Sequence, residues 1–300
     1  MPVDLTIVVI THNSSEVVGD LLDSIPAALD GLDAQVVVVD NASTDTTLDV
    51  VTRRGHVLVV ESANIGYAAG FNLGVDRGPA SPALLVLNPD VRLRPHAIRR
   101  MYDALAEVGV GIVAPLVLDD DGSLNRSLRR EPTLGRALGL GSTELAIFSE
   151  YVTDQGAYEK AHDVDWALGA ALLVSRRCYD DVGGWDASFF LYSEETDFCL
   201  RARDLGHRTR FAPDAVVTHI GGGSGRSPWT HTLQIVNRVR LYGRRHGRAA
   251  TALYYALTLL SEVSWFVRGH RAESGAAVTA LLVPGRRPPE LGCAAGLVPR

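Results

Sequence analysis

Asn88-Pro89-Asp90 closes the aliphatic run Leu84-Leu85-Val86-Leu87. Proline continues neither a helix nor a ladder, so Asp90 is held on a stiff corner after a buried strand. A carboxylate placed there can hold a divalent cation through oxygen, with a diphosphate supplying further ligands, although Asn, Pro and Asp are also ordinary turn residues. Tyr192-Ser193-Glu194-Glu195-Thr196-Asp197 sets three carboxylates at a predicted helix start. The helix dipole alone favours acids there. Adjacent carboxylates also repel, which lifts one pKa and makes it usable as a general base. His219, just before Gly221-Gly222-Gly223-Ser224, is open to three readings: a metal ligand, a phosphate contact or a satisfied histidine.

Two more segments could receive a nucleotide. Val36-Val37-Val38-Val39 delivers Asp40 at a strand end, where a carboxylate can accept hydrogen bonds from a base or ribose. Ser43 and Asp45 are expected to cap the helix that follows. In Asn64-Ile65-Gly66-Tyr67-Ala68-Ala69-Gly70-Phe71-Asn72, small residues allow close approach of a ligand or another element. A helix N-terminus at this point also favours a diphosphate. It is not a P-loop, since no Gly-Lys-Ser/Thr follows.

The elements that must position these groups alternate between strand and helix. Strand Leu5–Ile10 leads to a helix over Ser14–Ile25, entered through a capping box of Asn13 and Glu16 and stopped by Pro26. Strand Gln35–Val39 and a helix from Ser43 to Gly55 follow. Strand His56–Glu61, a Gly-rich helix over Tyr67–Asp76, strand Leu84–Leu87 and a helix from Pro95 complete residues 1–115. Such repeated units predict an α/β fold with a mostly parallel, doubly wound sheet flanked by helices. Residues 116–228 form a second half of the same domain: a solvated turn at Asp119–Gly122, strand Ala170–Val174, a helix over Ser175–Val182, a helix over Glu194–Leu205 and strands Arg208–Phe211 and Ala215–Ile220. Residues 229–300 are expected to form a helical extension. Its run Ala249–Val267 carries Glu262 and several hydroxyls, short of the roughly 20 apolar residues a spanning helix needs. A basic helix (229–248) before it could dock with it on an anionic membrane surface; packing on the protein's own core or on a homodimer mate is the other reading.

Composition sets outer limits. With 46% apolar and 21% charged residues the chain is ordinary globular protein, and a net charge of -6 argues against a nucleic-acid binder. Cys178, Cys199 and Cys293 show no CxxC or Cys/His spacing, which points to a reducing compartment rather than a zinc site. The opening residues have no basic region or cleavage site of a secretory signal, so a cytoplasmic location, at the inner membrane face if the extension docks there, is expected.

Taken in order, TIVVITHN, VVVDNASTD, NIGYAAGFNLG, LNPDV and FFLYSEETDFCLR resemble the family 2 glycosyltransferases of GT-A type over roughly residues 3–225, closest to the bacterial rhamnosyltransferase-like branch. The resemblance implies a GT-A fold and an inverting transfer from a nucleotide-diphosphate sugar (dTDP- or UDP-linked, dTDP-L-rhamnose preferred) to a saccharide, lipid-linked saccharide or natural product. It implies that Thr11, Asn13, Asp40, Asn64 and Asn88 line the nucleotide pocket, with Gly66, Ala69 and Asn72 beside the diphosphate. Trp166, Gly169, Ala170 and Asp197 would face donor sugar and acceptor. Asp90 would hold Mg²⁺ or Mn²⁺ with His219 as second ligand, Asn-Pro-Asp replacing the more usual Asp-x-Asp. Glu195, where relatives carry Asp after Glu, would be the base, with Glu194 as the alternative, and Arg226 would assist. Two other classes stay open: a sugar-1-phosphate nucleotidyltransferase, which should begin with a Gly-rich, basic signature absent here, and a non-catalytic nucleotide-sugar-binding protein, which would not need the Glu194-Glu195 pair.

Overall fold

Aliphatic runs buried on both faces build the centre of one nine-stranded sheet in the computed structural model, which describes residues 3–221, 227–291 and 297–298. The first half holds strands β1 (Leu5–Thr11), β2 (Ala34–Asn41), β3 (Val57–Ser62) and β4 (Ala83–Leu87), joined by helices α1 (Val18–Leu29), α2 (Thr47–Thr52) and α3 (Tyr67–Arg77). Next come β5 (Val91–Leu93), α4 (Ala97–Leu105) and β6 (Val110–Leu118). Beyond these lie β7 (Leu128–Arg129), β8 (His162–Val164), β9 (Trp166–Ala167), β10 (Ala171–Ser175), α5 (Arg176–Val182), α6 (Glu194–Asp204) and β11 (Arg208–His219). Helices α7 (Pro228–Arg245), α8 (Arg248–Val267) and α9 (Arg271–Leu282) form the extension.

The strand order is β3-β2-β1-β4-β10-β6-β11-β5, with β8 on β11 and a separate β7–β9 pair. β1, β2, β3, β4, β6 and β11 run one way, while β5, β8 and β10 oppose them, so the parallel expectation holds through β3-β2-β1-β4 and at β6–β11, and every pairing of β5, β8 and β10 is antiparallel. Register then decides which residues meet. Thr11 pairs with Asp40, and Leu87 pairs with Ala171, so the carboxyl ends of β1, β2 and β4 share an edge with the start of β10. His219 pairs with Val91, which brings the end of β11 to the same edge beside Asp90.

Alternation along β1 sends Leu5, Ile7 and Val9 into a core under α1 and α4, and Val8 and Ile10 into a second under α3, α5 and α6. Gly74 shows how tightly α3 lies on the sheet, since a Cβ there would stand 2.3 Å from a Val8 methyl. The small residues of the Gly-rich helix thus serve strand packing. A third core of Leu233, Val236, Tyr242, Tyr254 and Leu281 fills the extension, and Phe190 of the second half reaches into it.

Four local expectations are corrected. Pro26 lies inside α1, whose last turn still buries Ile25 and Ala28 in the core, and the helix stops instead at left-handed Asp30 and Gly31. Asn13 caps nothing: α1 starts at Val18, and the Asn13 backbone is left-handed. α4 begins at Ala97 after left-handed His96, not at Pro95. The two strands expected after residue 207 are one, β11, bridged by a register shift between Ala212 and Val216 around Pro213.

Candidate active site

The β1 and β2 ends are sewn together by polar groups. Asp40, buried, accepts from Thr11 Oγ1 at 2.9 Å, from Ser43 N at 2.9 Å and from Ser43 Oγ at 2.6 Å. Asn13 donates its backbone N–H to Ser43 Oγ at 2.8 Å and accepts from Thr44 N at 2.8 Å. Asp45 takes the N–H of Ser15 and of Thr47, so it tethers the β1 loop as well as opening α2. Asn41, which the sequence did not single out, donates to Gly66 O at 3.1 Å and accepts from Ser62 Oγ at 3.1 Å. A floor results in which nearly every polar group is already held. Asn64 stands exposed above it, accepting from Gly66 N at 3.4 Å.

At the start of α3 the close approach comes from the chain itself. Tyr67 N donates to Phe190 O at 2.7 Å, and a Cβ on Gly66 would lie 2.4 Å from that oxygen. With φ of 87° as well, position 66 admits glycine alone. Ala69 is half-buried one turn along. Asn72 is not brought to the edge. Its Oδ1 accepts from Tyr179 OH and Trp185 N and its Nδ2 donates to Trp185 O, so its polar capacity ties α3 to the second half.

Residues 190–193 then turn the chain into α6. Phe190, Tyr192 and Ser193 all have positive φ, each costing on the order of 1 kcal/mol for a non-glycine residue. Buried Asn237 of α7 holds this turn, its Nδ2 lying 2.7 Å from Phe189 O, 2.9 Å from Leu191 O and 3.0 Å from Tyr192 O. The turn delivers Glu194 and Glu195. Each has an Oε2 that is buried with no hydrogen-bond partner. Burial, and then the charge of Glu195, push Glu194 well above the ordinary glutamate value. Burial also raises Glu195, against the pull of backbone hydrogen bonds and Arg129. Glu195 lies along Gly169, where a Cβ would sit 3.3 Å from the Glu195 Cβ. Tyr67 OH donates to Gly169 O at 3.0 Å. Burial and the charges of Glu194, Glu195 and Asp90 raise the Tyr67 phenol well above its usual value, which makes these groups one electrostatic cluster.

Asp90 and His219 meet as the register requires, with His219 Nε2 3.2 Å from Asp90 Oδ1. That oxygen is buried and has no aligned hydrogen-bond donor. Among the described residues no group of three or more His, Cys, Asp and Glu side chains could hold a metal. A carboxylate oxygen and an imidazole still suit Mg²⁺ or Mn²⁺ when a substrate completes the shell. The orphaned oxygen facing the imidazole therefore fits the expected ion. Asn88 donates its backbone N–H to Ala170 O at 2.8 Å, closing the corner against β10.

On the far side β7 and β9 pair Arg129 with Trp166. Trp166 Nε1 donates to Arg130 O at 3.0 Å, and the Arg129 guanidinium lies 3.8 Å over the Tyr151 ring. Asp197 does not join the acids in facing this space. Its Oδ2 accepts from Arg201 Nε at 2.6 Å, and Arg201 also bonds the carbonyls of Val182 and Gly184, so the carboxylate anchors α6 to the preceding turn. Tyr67 and Arg129 were missed by sequence reasoning. Tyr67 stood inside a quoted Gly-rich segment, whereas nothing in the local sequence marks Arg129. Gly222-Gly223-Ser224 and Arg226 lie outside the described residues.

The family model described as "Glycosyl transferase family 2" matches residues 6–166. An N-acetylglucosaminyl-diphospho-decaprenol L-rhamnosyltransferase of Mycobacterium tuberculosis is 30% identical over 247 residues, spanning 76% of this chain and 80% of that protein. A low-salt glycan biosynthesis hexosyltransferase of Haloferax volcanii, Agl10, is 29% identical over 204 residues, 67% of this chain but only 62% of its own length. Among solved structures, GalNAc-T7 with UDP, GalNAc and Mn²⁺ superposes with a TM-score of 0.62 at 14% identity, covering 93% of this chain and 56% of that one.

Proposed function

The chain belongs to glycosyl transferase family 2, and from that premise we propose that it moves a sugar, by preference L-rhamnose from dTDP-L-rhamnose, onto a hydroxyl of a saccharide or lipid-linked saccharide with inversion. The observation that carries the reading is the convergence of two orphaned carboxylate systems, Asp90–His219 and Glu194–Glu195, on one sheet edge beside Tyr67. A binding protein has no need of two buried, unsatisfied glutamates, since such groups cost stability unless function retains them.

In this reading Glu195 takes the proton of the acceptor hydroxyl as that oxygen bonds to the anomeric carbon. The bond from that carbon to the diphosphate oxygen breaks on the opposite face, and its electron pair leaves with the nucleoside diphosphate. Glu194, raised further by the neighbouring charge, keeps a second negative charge from building beside the base. Asp90 and His219 would hold Mg²⁺ or Mn²⁺, which supplies Lewis-acid stabilisation of the departing diphosphate. Thr11, Asn13, Asp40, Asn64 and Asn88 would frame the nucleotide, and Trp166, Gly169 and Ala170 the sugar and acceptor. A lipid-diphosphate saccharide as acceptor is supported by the name of the mycobacterial relative. A cytoplasmic setting suits the buried free thiols Cys178 and Cys199.

Release of nucleoside diphosphate from dTDP-, UDP- and GDP-sugars, with and without Mg²⁺ or Mn²⁺, tests the proposal. Metal-stimulated turnover of dTDP-L-rhamnose supports it. Preference for a UDP-hexose replaces the donor, and donor binding with no turnover in the presence of lipid-linked and soluble saccharide acceptors removes the catalytic claim.

A further inference from the structure

Helix α8 buries mostly polar side chains and exposes apolar ones. Beside Tyr254, its buried residues are Thr251, Thr258, Ser261 and Glu262, while Leu253, Leu260, Val263, Phe266 and Val267 stand exposed. Leu260 and Val267 keep 60% and 76% of their surface open. A surface helix in water shows the reverse pattern. Leu282 and Val283, at the end of α9, are exposed too, and Tyr255 OH donating to Leu281 O at 2.9 Å sets that end beside the first half of α8.

Contrary to the expectation from the sequence, the helix is long and apolar enough by composition to cross a membrane, but it packs on the protein through its buried face. Glu262 accepts from His231 of α7 at 2.8 Å, and the buried hydroxyl face would have to be torn out before the helix could span. What covers the outer face is decided by charge. Arg248 opens α8, and Arg268 and Arg271 lie at its other end, with Arg286 exposed after α9. The one acid within α8 is Glu262, which is buried, and α9 adds only Glu273. A second copy would set arginine beside arginine at both ends, whether the paired helices ran parallel or antiparallel. An anionic lipid surface instead neutralises both ends and takes up the apolar stripe between them.

We infer that the outer face of α8, extended by the end of α9, is a docking surface for an anionic phospholipid membrane, on which the helix lies in the plane of the interface. The inference is independent of the reaction proposed above. Full-length protein should sediment with vesicles of phosphatidylglycerol and phosphatidylcholine, release as salt is raised, and stay in solution with phosphatidylcholine alone. Leu260→Ser combined with Val263→Ser should lower the bound-to-free ratio by about ten-fold or more, because each loses most of its apolar transfer energy. Arg268→Gln combined with Arg271→Gln should lower it by about ten-fold and flatten the salt dependence. Circular dichroism of both variants should match the parent, since these side chains lie outside. Absence of sedimentation, or equal sedimentation of parent and variants, overturns the inference. So does a stable dimer by light scattering that Leu260→Ser with Val263→Ser dissociates, which would assign the face to a second copy.

Discussion

The two loops under the nucleotide side and the turn into α6 are opposite solutions to placing carboxylates at a sheet edge. Asp40 is buried with three donors on its oxygens, while Glu194 and Glu195 are buried with an oxygen each left bare. In the first arrangement hydrogen bonds offset the cost of burial and make the group rigid. The second is held up by force: three left-handed residues precede it, and Asn237 pins the carbonyls of Phe189, Leu191 and Tyr192 from another element. A group that must only receive a ligand can be satisfied beforehand. A group that must take and return a proton is left with one oxygen bare, because further hydrogen bonds to its charged form would make it a weaker base.

The comparison breaks most visibly at Glu195. Glu195→Gln should lower turnover by about 10²–10⁴-fold while calorimetry shows unchanged donor affinity; intact turnover removes Glu195 from the role. Asp90→Asn should weaken donor affinity in the presence of Mn²⁺ by about ten-fold or more and leave metal-free affinity alone, as titrations with and without chelator would read. The contrast also has a pH signature. Because Glu195 is raised by burial and must be deprotonated to act, the acid limb of kcat/KM should lie above the ordinary glutamate value of 4.5. For stability, both glutamates are raised in the folded state, so their contribution is full below 4.5 and fades as pH rises through the raised values. Glu194→Gln should therefore raise Tm at pH 8, by an increment that shrinks toward pH 4.5; lower Tm at pH 8 would mean that its charge is satisfied after all. The smallest effect belongs to the satisfied side. Thr11→Val should cost about 1 kcal/mol in urea unfolding and leave turnover intact at saturating donor.

The parallel half was legible because each of its strands is a solid aliphatic run and each connection is helical. Asp40 and Asp90 were legible because they follow such runs directly. Asn72 and Asp197 were misplaced for a common reason: a polar residue inside a motif can face a neighbouring element as easily as a ligand, and only tertiary contact with Trp185 or Arg201 decides. Asn13 looked like a cap because Asn and Glu stood at the right spacing, yet its oxygen was needed by Thr44. Arg129 could not be found at all, since β7 is two residues long and its pairing with Trp166 spans a long excursion.

Asn237 has a consequence for how the chain can be divided. It sits on the extension, and yet it shapes the turn that presents both glutamates. The extension is thus not an exchangeable appendage. Grafting the last helices of a relative onto residues 1–227 should yield a competent hybrid only when the graft and the 189–193 turn are taken from the same parent, so that the two are inherited as one unit.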